Sequence, residues 1–187
     1  MDEFSYLSVL IGVILGLAIT QILQGFRGLL HFRHTVTFYW PSLVWAFLIL
    51  LIAVQSWWAS FGLRHLASWN FLGFGVVLLE NACIYMVAAL ALPDFAEERR
   101  VDLRHSYFKQ IPWFYGLFIT ALVFSLLKDV VLSGSLPQSL NLWFQLFFIG
   151  GSLALILIRN ESFHEVYTLL SAALFLAYIV TLFDYLH

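Results

Sequence analysis

Charge is what this chain has least of. Only 11% of its 187 residues are Asp, Glu, Lys or Arg, whereas a soluble domain carries about 25%. At 62% hydrophobic residues, so much apolar surface cannot be hidden from water, and lipid must be the solvent for much of it. The net charge of −2 leaves no basic footprint for nucleic acid. Cysteine is nearly absent. Cys83 alone excludes an intrachain disulfide and any multi-cysteine metal site, and among apolar neighbours it reads as a small inert hydrophobe.

Catalytic signatures are missing too. There is no G-x-S-x-G, no P-loop, no C-x-x-C and no dinucleotide fingerprint. None of the six histidines falls deep inside an apolar segment, where a pair would be needed to hold a membrane haem. His31 and His34 read as an interfacial pair, and His164-Glu165 lacks the H-E-x-x-H context of a zinc protease. No metal and no cofactor are expected. The start, Met1-Asp2-Glu3-Phe4, is acidic, whereas a secretory signal needs a basic start and a shorter apolar core. The first apolar segment is therefore expected to be retained. Neither end carries a lipidation signal.

What the chain has is long apolar segments. The first, Ser5 to Leu30, has 26 residues; as a helix it is about 39 Å long, enough to cross a bilayer core of about 30 Å. Gly12, Gly16, Thr20, Gln24 and Gly28 recur along it at every fourth position, with Gln21, Gly25 and Arg27 alongside. Small residues at that spacing let helix backbones approach in lipid, so Gly12, Gly16 and Gly28 are expected to face a neighbouring helix. Gly150, in Gly150-Gly151-Ser152, is expected to do the same in the fifth segment.

Six spans follow from the hydropathy pattern: about 5–30, 38–63, 69–92, 111–132, 138–158 and 163–186. Pro93-Asp94 stops the third, Pro112 sits at the expected first turn of the fourth, and Ser133 to Pro137 reads as a turn. Ser162 is a candidate N-cap for the sixth. Backbone groups in lipid must be satisfied internally, so the spans are helices, and the short alternating strands of a membrane barrel are absent. The expected fold is all-α: a polytopic integral membrane bundle of six transmembrane helices with short loops, residues 1–187 forming a single transmembrane domain. Three spans on each side of a central polar stretch raise an inverted repeat, but the halves match in apolar composition rather than in pattern.

Seven basic residues, Arg27, Arg33, Arg99, Arg100, Arg104, Lys109 and Arg159, fall on the side of the first, third and fifth connections; Arg64 and Lys128 fall on the other. The excess places the first side in the cytoplasm, and both termini on the non-cytoplasmic side of a plasma or inner membrane. Trp40, Trp45, Trp113 and Tyr115 near inner ends, and Trp57, Trp58, Trp69 and Trp143 near outer ends, read as aromatic belts. The central stretch from Asp94 to Gln110 mixes both charges; Asp94 with Glu97 resembles a helix-capping pair. A surface helix there would offer Arg99, Arg100, Arg104 and Lys109 to anionic headgroups, against a plain solvated connector.

Glu80-Asn81 is the strongest site signal, because a carboxyl at mid-membrane depth is costly unless it faces protein or water. Desolvation favours a neutral, hydrogen-bonded Glu80. Thr20, Gln21 and Gln24 of the first span are its candidate partners, either as a structural tie or as an ion pathway. Lys128-Asp129 reads as an ordinary helix end with a snorkelling lysine, or as part of an outer vestibule with Gln55, Gln145 and Asp184. Three function classes remain open: an ion-conducting or transport protein, a structural or regulatory subunit of a membrane complex, and a small membrane enzyme. The partners expected are the lipid bilayer and either further copies of the chain or a partner membrane subunit.

Overall fold

The computed structural model describes residues 3–65, 69–95, 100–136 and 140–184, the side chains at 3, 65, 140 and 181–184 excepted. Among the described residues there are six α-helices: α1 (Glu3–His31), α2 (Trp40–Ala59, continued by a 3₁₀ turn at Ser60–His65), α3 (Phe71–Leu90), α4 (Leu103–Ser133), α5 (Leu140–Leu157) and α6 (Glu161–Asp184). All but α5 are long and apolar enough to cross a bilayer. The 18 residues of α5 span about 27 Å. Even so, α5 runs from one end of the bundle to the other. Asn141 at its start accepts from Tyr178 late in α6 at 3.4 Å, and the Ile158 carbonyl beyond its end meets His164 early in α6 at 3.0 Å.

The fourth helix is longer than its apolar stretch. It begins at Leu103, not near Ile111, so Pro112 lies inside the helix and deprives the turn before it of one hydrogen bond. The cap is Asp102, whose carboxylate accepts from the backbone N–H of Arg104 at 2.9 Å and of His105 at 3.2 Å. Asp94 stands outside any helix, and Glu97 and Arg99 lie outside the described residues. The surface helix expected before the fourth span is, over residues 103–110, the first two turns of α4 itself. Likewise α6 starts one residue before Ser162, and the Asn160 side chain accepts from Phe163 N–H. Gly134 closes α4 at a φ of 68°, the left-handed C-terminal position that glycine occupies without strain.

A two-residue parallel pair joins β1 (Val36–Thr37) to β2 (Val101–Asp102), with Val36 opposite Val101. It ties the first connection to the third. Arg104 pairs with Glu161 and ties the third to the fifth. The pair is exposed and adds little stability, but it puts the three basic connections on one end of the bundle. Arg104 is thereby engaged with protein, while Arg100 and Lys109 are exposed at that end.

Helices α2, α3, α4, α5 and α6 pack in sequence, α2 closes the ring against α6, and α1 lies outside against α2 and α3. Trp45 sits at the centre, edge-on to Phe114, Tyr115 and Phe118 with ring centroids 5.3 to 5.9 Å away. Trp45 and Tyr115 are fully buried and so are core residues, not belt residues. Trp113 and Trp143, at opposite ends, are over 70% exposed and fit the belt. Large apolar side chains such as Tyr6, Val9, Val13 and Leu157 also face outward, a surface that only lipid solvates well.

The glycine row of α1 is not its packing face. Leu7, Ile11, Leu15, Ala18 and Ile22 form the stripe turned to the bundle, each at most 1% exposed. Gly12 and Gly16 follow Ile11 and Leu15 by one position, about 100° round the helix. A Cβ at Gly16 would meet nothing within 4 Å, and one at Gly12 would first reach the Trp57 ring nitrogen at 3.9 Å. Close approach occurs lower down, where a Cβ at Gly25 would come within 2.8 Å of the Leu92 side chain and one at Gly28 would run into the Phe95 ring. In α5 the crowded glycine is Gly151, against Tyr167, and not Gly150, which has open space.

Candidate functional site

The ring of α2 to α6 lines an open-sided cavity of about 310 Å³ in the half of the bundle away from the basic connections. Glu80 reaches it from α3, about 14 Å along the helix from Phe71. Its partner comes from α4. The Lys128 ammonium donates to both carboxylate oxygens, at 2.9 and 2.8 Å. The side chains are 8% and 21% exposed, so the pair is largely withdrawn from solvent. Bidentate contact of this kind is a charge-assisted bond, about twice as strong as a neutral one. Of the two readings of Lys128, the inward one, grouped with Gln55, Asp129 and Gln145, fits this geometry and the snorkelling one does not. The partner of Glu80 is a correction: a lysine holds it in place of a polar group of α1.

Thr20 explains why α1 is not the partner. It is exposed, and its hydroxyl donates to the Gly16 carbonyl one turn back at 2.8 Å. Gln24 is exposed as well. Gln21 and Gln24 line a separate wedge of about 440 Å³ between α1 and the Leu92–Phe95 segment, together with Arg27 and His31. None of the three α1 candidates borders the Glu80 cavity.

Most of the outer candidates do converge on it. Gln55, Lys128, Asp129 and Gln145 line the cavity with Glu80 and Asn81; the Asp184 side chain lies outside the described set. Asn81 donates to the Val77 carbonyl at 2.7 Å and accepts from Ser56 at 3.4 Å, tying α3 to α2. Gln145 is 7% exposed, and its Oε1 has no hydrogen-bond partner among the described residues. Phe118, Phe148 and Phe175 are buried at the closed end. Beyond Phe118 lies Trp45, so edge-to-face aromatic rings floor the cavity on the side of the bundle centre.

A second polar cluster, near the basic end, was not read from the sequence. Tyr107 bonds Tyr115 at 2.6 Å and the Nδ1 of His164 at 2.9 Å, while His164 Nε2 meets the Ile158 carbonyl. A carbonyl only accepts, so Nε2 carries the proton and Nδ1 accepts from Tyr107. Tyr115 then donates to Tyr107, and the chain of bonds has a single direction. Thr168 donates to the His164 carbonyl at 2.7 Å and accepts from Trp45 at 3.1 Å. The available signal was the i, i+4 spacing of His164 and Thr168 on one helix face. Tyr39, just before α2, lies against Tyr107 with its ring tilted and centroids 5.3 Å apart; burial first, then the Glu161 and Glu165 carboxylates, push its hydroxyl up to about 12, and it stays protonated.

Among the described residues no three His, Cys, Asp or Glu side chains converge as a metal site. No family model matches the chain, and neither does any characterised protein or solved structure.

Proposed function

We propose that the chain is a small integral membrane transport protein whose solute enters the Glu80–Lys128 cavity. One observation carries this reading: an ion pair withdrawn into a bundle of membrane-length helices and bordering a cavity of about 310 Å³. Burying two charges is costly, and apolar residues of the same volume are often at least as stabilising. A pair kept at that depth is a functional candidate by default. The aromatic floor argues for a gated or alternating path over an open pore. In proteoliposomes under imposed H⁺, Na⁺ or K⁺ gradients, the wild-type chain is expected to give a flux. Glu80→Gln, which keeps size and hydrogen bonding, should reduce that flux at least tenfold with helix content unchanged. Absence of wild-type flux under every gradient would overturn the reading.

A membrane subunit is the second reading, and the outer face of α1 favours it. Gly16, Thr20 and Gln24 lie exposed on one side of that helix, where a partner helix or a second copy would cover them.

Orientation follows from the basic residues. With Lys128 used inside the bundle, Arg64 is the remaining basic residue on the cavity side, so the bias toward the other end is stronger than the raw count. The basic end then faces the cytoplasm and the cavity opens away from it. Alkaline phosphatase fused after His187 should be active, and a fluorescent protein at the same place that folds only in the cytoplasm should stay dark; the reverse would invert the sides.

A further inference from the structure

We infer that the cavity takes a small organic cation, a primary ammonium carried on an apolar or aromatic body. The assignment rests on reading the cavity as a solute site.

Three independent features point to it. The first is charge. Among the described residues the cavity holds one cation, Lys128, against two carboxylates, Glu80 and Asp129. Lys128 places its ammonium on both oxygens of Glu80, which leaves Asp129 as a carboxylate without an ion-pair partner among the described residues. An anionic solute would have to pull Lys128 away from Glu80 and would still face Asp129. A cation meets Asp129 without breaking anything.

The second is an orphan acceptor. Gln145 Oε1 is buried, borders the cavity and receives no hydrogen bond among the described residues. A buried carbonyl oxygen without a donor is costly, and what it needs is an N–H or O–H. An ammonium has three donors and no acceptor, enough to serve Asp129 and Gln145 together. A carboxylate solute supplies no donor.

The third is the wall. Phe144 stacks on Tyr178 with ring centroids 4.5 Å apart and leans on Phe148 at 4.8 Å, and Phe148 meets Phe118 edge-on at 6.0 Å. Ring faces attract a desolvated cation, and they also accept an apolar body. At about 310 Å³ the space is at the small end of ligand pockets, which limits the solute to a compact molecule.

Three probes of one shape and different charge separate the possibilities: benzylammonium, benzyl alcohol and benzoate. Each is titrated calorimetrically into the purified full chain in detergent micelles, with no gradient imposed. Benzylammonium is expected to bind at least tenfold more tightly than benzyl alcohol, and benzoate not at all. Asp129→Asn should remove that tenfold preference while leaving benzyl alcohol affinity unchanged, which shows that the cavity is intact. Gln145→Leu should weaken benzylammonium several-fold. Equal or tighter binding of benzyl alcohol or benzoate, or a preference that survives in Asp129→Asn, would overturn the assignment. Because the titration needs no flux, selective benzylammonium binding by a chain that moves no solute keeps the cation site and removes transport. Flux of inorganic ions without selective benzylammonium binding does the opposite.

Discussion

Lys128→Met is expected to be among the most damaging single changes in the chain, lowering stability by about 3–5 kcal/mol. The side chains match in length, so little packing is lost. What is lost is the only cation among the described residues in contact with a carboxylate whose side chain is 8% exposed. Glu80→Gln should cost less. The amide is neutral at that depth, and Lys128, at 21% exposure and next to Asp129, can turn toward the cavity mouth. Glu80→Gln with Lys128→Met should recover much of the loss, because no buried charge then remains. Unfolding in a denaturing detergent, followed by helix content, measures all three variants. The coupling between the two sites should reach about 1–3 kcal/mol. A Lys128→Met variant as stable as the wild type would mean that Glu80 is solvated or neutral without its lysine, and the pair would lose its place as the organising feature of the site.

Gly151→Ala should be nearly as disruptive, and Gly16→Leu nearly silent. A Cβ at Gly151 would fall within the ring of Tyr167. That ring stacks on Phe147 with centroids 5.5 Å apart and lies parallel to Trp45 at 6.4 Å. Neither neighbour offers room, so one methyl group must push a tyrosine into the central tryptophan or part α5 from α6. Overpacking of this kind costs about 1–3 kcal/mol, and the upper end is expected here. A leucine at Gly16 enters open space on the outer face of α1 and removes a glycine that weakens a helix by roughly 0.5–1 kcal/mol. The same unfolding assay ranks the two. The reverse order would restore the glycine row as the face on which α1 packs.

The spans were legible because lipid demands length and apolarity, and both are local properties. Which way each helix faces was not, and α1 shows why. In water the buried stripe is the apolar one; in lipid Val9 and Val13 on the outside are as apolar as Ile11 and Leu15 on the inside. The glycine spacing therefore looked like the only asymmetry, and it pointed about 100° away from the packed face. The start of α4 was missed for a related reason. Residues 103–110 are polar enough to end a hydropathy window, yet they continue the helix beyond the apolar region.

At the site, Glu80, Asn81, Gln55, Lys128, Asp129 and Gln145 were each legible as a polar residue in apolar surroundings. Their convergence was not, since Glu80 and Lys128 stand 48 positions apart and no local pattern says that α3 neighbours α4. Thr20 and Gln24 carried the same local signal and belong elsewhere. The Tyr107–Tyr115–His164 cluster was hidden because its members sit near the ends of the apolar stretches, where polar residues usually need no explanation.

The strand pair at the basic end has a mechanical consequence. Val36 and Val101 stand opposite each other there, and Val101 N–H donates to the Thr35 carbonyl at 3.3 Å. While that clasp holds, any tilt of α4 would have to turn about its first turn, like the arm of a pair of tongs held at the hinge. Its 31 residues make an arm of about 46 Å. A tilt of roughly 5° at the clasp carries the far tip about 4 Å, by the same rise per residue, with the strand pair intact. Lys128 and Asp129 ride near that tip, so leverage is greatest where the mouth of the cavity stands and least where Tyr107 meets His164.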